Sequence, residues 1–168
     1  MKGLGKYAKM FFCGAVVQGA LLAIISAVLF VYGSVYLSPA PAMVMALGSA
    51  GTWLFVGYAM YTFMVLALGV TSLFYNYIEM GLGALKGMQS KLASAHFWLM
   101  NIGMIGSTWM IMYAGYIGGA GALMGLNPGQ IHVQLIGSYP TPIAIFVVIT
   151  ILGLLAGGAV FVSALRKK

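Results

Sequence analysis

The chain has a single carboxylate side chain, Glu79, and no aspartate. Chemistry that needs two carboxylates, whether glycoside cleavage or a carboxylate-rich cation site, is excluded by that count. A Ser-His-Asp arrangement cannot be built, and there is no glycine-rich phosphate loop with its lysine. Cysteine occurs once, as Cys13, which rules out an internal disulfide framework and a paired-thiolate metal site. The expectation for Cys13 is a small apolar side chain packed among others. Histidine occurs only at His96 and His132. Prolines 39, 41, 128, 140 and 142 fall outside apolar runs or at their ends, where they punctuate helices and do not kink them.

Charge of either sign is scarce. Charged residues make up 5% of the 168 positions and apolar residues 62%, which is the composition of an integral membrane protein. A hydrocarbon core of about 30 Å needs roughly 20 helical residues, and four apolar runs are long enough, near 10–37, 44–78, 94–118 and 141–164. They are continuous and rich in Leu, Met, Ala and Gly, without the alternation of a barrel strand. The sequence therefore predicts an all-α integral membrane protein, a four-transmembrane-helix bundle forming one domain over residues 1–168. The first run is about twice as long as the 7–15 residues of a signal core, so it reads as a retained span.

The net charge of +7 matters less than its placement. Lys2, Lys6 and Lys9 precede the first run, Lys86 and Lys91 separate the second and third, and Arg166, Lys167 and Lys168 follow the fourth. The stretches 38–43 and 119–140 contain neither Lys nor Arg. The positive-inside rule then places both termini and the middle loop in the cytoplasm of a multi-pass cell-membrane protein. The basic residues read as topology signals and contacts for anionic headgroups, not as a nucleic-acid surface.

Glycine is abundant, with Gly121 and Gly125, and Gly153 and Gly157, spaced by four; small residues at that spacing let helix backbones approach closely in lipid. Trp53, Tyr58, Tyr61 and Phe63 read as packing residues or interface anchors. Glu79 falls at the end of the second run, where a solvated or lysine-paired carboxylate is expected ahead of a proton-loading site. His132 lies in "GLNPGQIHVQLIGSYPTP", which reads as a short helix on the membrane surface, where a partner or a metal is the functional alternative to a plain loop histidine.

The segment "LASAHFWLMNIGMIGS" from Leu92 to Ser107 resembles the start of the penultimate helix of the catalytic subunit of haem-copper oxygen reductases and nitric oxide reductases. "SYPTPIAIFVVITILGLL" and "TWLFVGYAMYTFMVLALGVTSLFYNY" are similar to the helices on either side of it, so the four runs resemble that family's last four helices. The departures are equally specific. The family's paired histidines on the third helix from the end have no counterpart between Gly51 and Met64, and its arginine pair has none in 119–140. The resemblance thus implies a ligand-free relative. No catalytic, cofactor-binding or metal residue is assigned, this chain alone binds neither haem nor copper, and both are expected only in a partner subunit. By the same resemblance His96 sits at a helix entrance, bonding a backbone group or headgroup, with Phe97 and Trp98 anchoring the interface.

The expected function is a non-catalytic membrane subunit of a respiratory terminal oxidase or related electron-transfer complex, supporting assembly or lipid or quinone contact. Its partners would be other integral membrane subunits, above all a larger catalytic one, and membrane lipid. Two alternatives stand beside it. One is a small oligomeric transporter or channel, if Asn76, Glu79, Gln89, Asn101, Ser107 and Thr108 line one path. The other is a subunit lending His132 to a shared metal site of a membrane oxidase or monooxygenase.

Overall fold

The computed structural model describes residues 3–166, without the side chain of Ser49; Lys2, Lys167 and Lys168, three of the topology signals, lie outside the described residues. The described residues are helical with no strand. Helix α1 spans Lys6–Tyr36 and includes a π-helical stretch at Ala27–Tyr32. A short helix α2, Pro41–Ala46, follows, and α3 spans Thr52–Leu82, its last turns again π-helical from Ile78. Helix α4 runs over Met88–Leu123. A one-turn helix α5, Pro128–Gln130, continues as a π-helical stretch Ile131–Ile136, and α6 covers Pro140–Leu165.

The boundaries follow from local chemistry. Pro41, Pro128 and Pro140 each open a helix, where the missing N–H would have no intrahelical partner anyway. Helix α4 stops in a Schellman motif. Gly125 takes a φ of 87°, the Leu126 N–H donates to the Gly121 carbonyl at 3.1 Å and the Gly125 N–H to the Ala122 carbonyl at 3.0 Å. Gly121 and Gly125 thus end a helix together, and Gly121 also lies close against Leu135 of the following segment. Asn127 and Gln130 cap α5 reciprocally, each side chain accepting from the other's backbone N–H at 3.0 Å.

The apolar run expected near 44–78 is broken in the structure. Gly48 turns the chain at φ 65°, so that α2 is separate and α3 starts only at Thr52. Hydropathy does not register such a break, because both sides of it are equally apolar.

Three helices, α1, α3 and α6, are long and apolar enough to cross a membrane. Helix α4 is longer than any of them at 36 residues, yet more polar, carrying Gln89, His96, Asn101, Ser107 and Thr108 on buried positions. It can be so because it is the central helix, packed along α6 and α3 and crossed by α1. The contacts set the helix directions. Tyr7 meets Ser90 and Glu79 at one end, where Gln89 also bonds Ser163, and Leu54 meets Gly115 at the other, so the four long helices run alternately up and down.

Close approach comes from glycine. A Cβ at Gly115 would run into the Leu54 backbone, one at Gly103 into the Thr150 backbone, and one at Gly153 would stand 2.8 Å from the Met100 nitrogen. Backbone contact of this kind maximises dispersion between helices in the absence of a hydrophobic drive. The larger apolar core joins Tyr7, Phe11, Tyr61, Leu68, Tyr75 and Met100, all almost fully buried.

Candidate functional site

Helix α1 is preceded by Gly5 at its N-cap, which offers no capping side chain. Its orphan N–H groups are met from another helix. Those of Tyr7 and Ala8 donate to Glu79 Oε2 at 2.9 and 3.0 Å, and the Tyr7 N–H also reaches Oε1 at 3.2 Å. The carboxylate completes the helix terminus and lies in the favourable field of its dipole. Any side chain at position 5 would collide with this carboxylate, so the glycine and the glutamate are one arrangement. The expected solvated or lysine-paired Glu79 is corrected by this geometry: the residue is half-buried and accepts from backbone donors of α1. Asn76 accepts from the Gly5 N–H at 3.4 Å, and Ser72 donates to the Ala8 carbonyl at 2.7 Å, extending the seam.

His96 lies well inside α4 and only 3% exposed, not at a helix entrance. Its Nδ1 is hydrogen-bonded to the Tyr75 hydroxyl at 3.1 Å. The ring is caged by Phe11 at 4.9 Å and Phe161 at 6.2 Å between centroids, and Gly157 leaves the space that the imidazole fills. A headgroup contact is therefore replaced by a side-chain partner on α3. Phe97 packs edge-on to Phe11 at 5.2 Å, inside the bundle, whereas Trp98 turns outward, 60% exposed. The three consecutive residues point in three directions, as a 3.6-residue period requires.

One level further along, Tyr61 donates to Gln18 Oε1 at 2.6 Å and Gln18 Nε2 donates to Asn101 Oδ1 at 3.3 Å. Asn101 Nδ2 in turn donates to the Phe97 carbonyl at 2.8 Å. This chain of amides ties α1, α3 and α4 at buried positions. Ser107 and Thr108 bond back to carbonyls of their own helix, at 2.8 Å to Gly103 and 2.6 Å to Met104. Among the described residues, no buried side-chain nitrogen or oxygen lacks a partner.

His132 lies on the short helical segment after α4 and is exposed, as expected of a surface helix. It is at the opposite end of the bundle from His96. The two cannot share a ligand, and among the described residues no three His, Cys, Asp or Glu side chains come together. Cys13, expected to pack, is exposed on α1.

Tyr75 and Gln18 went unremarked in the sequence. Gln18 carried a usable signal, being an amide in the middle of an apolar run, where a polar group needs a partner. Tyr75 carried none, since nothing local distinguishes it from Tyr77 on the outer face. No family model, curated protein or solved structure matches the chain.

Proposed function

We propose that the chain is a four-span membrane protein with cytoplasmic N and C termini that serves as a non-catalytic subunit of a respiratory terminal oxidase or related electron-transfer complex. One observation supports the non-catalytic part: Gln18, Tyr61, Asn101, Tyr75 and His96 are engaged with one another across helices, where their chemistry is cohesion. Helix α4 is the fourth span, less apolar because its neighbours cover it. The placement of Lys6, Lys9, Lys86, Lys91 and Arg166 supports the orientation. The association with an oxidase draws on the likeness of residues 92–107 to the penultimate helix of such catalytic subunits, together with the lack of that family's ligands.

Purification from native membranes in mild detergent, with a reduced-minus-oxidised spectrum and mass spectrometry of co-purifying chains, tests the reading. Haem bands travelling with a larger histidine-bearing subunit are the expected result. A colourless homo-oligomer would overturn it in favour of a small transporter or channel.

A further inference from the structure

A groove of about 530 Å³ lies between the C-terminal ends of α3 and α6. Its wall is Leu73, Phe74, Tyr77 and Ile78 on α3 and Phe161 and Leu165 on α6, and almost nothing polar reaches its surface. The floor is firm: Ile78 is 3% exposed and the Phe74 and Phe161 rings lie 5.9 Å apart, so the groove is bounded by packed side chains. Leu73, Phe74, Tyr77 and Leu165 are each more than half exposed and offer their apolar surface to whatever enters.

Charge at the rim decides what that is. Arg166 follows Leu165 directly, is exposed, and closes α6. Glu79 is next to Ile78 in sequence but belongs to the other face of α3, its carboxylate occupied by the α1 N–H groups. The end of α6 that borders the groove thus carries a cation directly after the lining residue Leu165, the chain's single carboxylate is engaged elsewhere, and the trough itself is apolar. A guanidinium binds phosphate with paired N–H donors, and an apolar trough accepts an acyl chain. We propose that this groove is a binding site for an anionic diacyl phospholipid of the leaflet at the basic end of the bundle, phosphate on Arg166 and one chain between α3 and α6. The proposal rests on the membrane-spanning reading but not on any oxidase partner.

The test uses the whole chain in detergent with an equimolar mixture of phosphatidylglycerol and phosphatidylcholine, bound lipid being counted by native mass spectrometry. Phosphatidylglycerol is expected to be retained at least several-fold over phosphatidylcholine. Arg166→Gln should abolish that preference, Leu165→Trp should lower retention of both lipids by filling the trough, and Lys86→Gln, on a different loop, should change neither. Soluble glycerol phosphate should not compete, because it has no chain for the groove. Equal retention of the two lipids by the unaltered chain, or an equal effect of Lys86→Gln and Arg166→Gln, overturns the site. Circular dichroism and size exclusion of each variant identify a folding failure, and if Leu165→Trp misfolds, Arg166→Gln alone still decides. Membrane extraction behaviour is scored separately: a chain released from membranes by carbonate would defeat the spanning reading itself.

Discussion

At the residue scale, Glu79 shows how a lone carboxylate in an apolar chain is used. An uncompensated carboxylate beside the bundle would be costly, and an α1 terminus capped only by Gly5 would leave orphan donors; each relieves the other. Replacing Glu79 by Ala removes a cap contributed by another helix, and loss of about 0.5–2 kcal/mol is the expected consequence. Thermal or denaturant unfolding in detergent, followed by circular dichroism, measures it; unchanged stability would mean that the cap contributes nothing. Tyr75 and His96 form the second pair. Tyr75→Phe leaves the His96 Nδ1 without its partner in the cage, which should cost about 1–3 kcal/mol. Removing both polar groups with Tyr75→Phe and His96→Phe should cost less than the sum of the single changes, and a double-mutant cycle reads that difference.

The element scale is governed by α4. Its sequence is the least apolar of the long helices because it is covered by the others, and its glycines set how closely they come. Gly157 on α6 faces the His96 ring so tightly that a larger side chain must displace either the ring or the helix. Gly157→Val should therefore destabilise the bundle by about 1–3 kcal/mol through overpacking, whereas Gly158→Val, with open space around it, should be near neutral. Unfolding midpoints of the two variants in one detergent compare them directly. The four-residue spacing Gly153 and Gly157 was legible in the sequence as a packing face. The same spacing at Gly121 and Gly125 was not legible as a helix stop, since a positive φ is set by what the following residues do and not by the spacing itself.

For the whole molecule, alternation of the long helices and the clustering of Lys and Arg toward one end predict a single orientation in the membrane. Reporter fusions that fluoresce only in the cytoplasm should be bright when joined after Arg166 and dark when inserted near Gly125 in the segment after α4. The reverse pattern, or bright signal at both positions, would refute the four-span topology.

Composition and charge placement were enough for the helical class and the membrane expectation, because burial in lipid demands long apolar segments whatever their neighbours are. The broken second run, the cage around His96, the inward packing of Phe97 and the cap from Glu79 came only with tertiary structure. The physical reason is common to all of them. Hydropathy records what a residue prefers as solvent, while the partner of a polar group is decided by which helix arrives beside it, and that depends on glycine contacts many residues away in the chain.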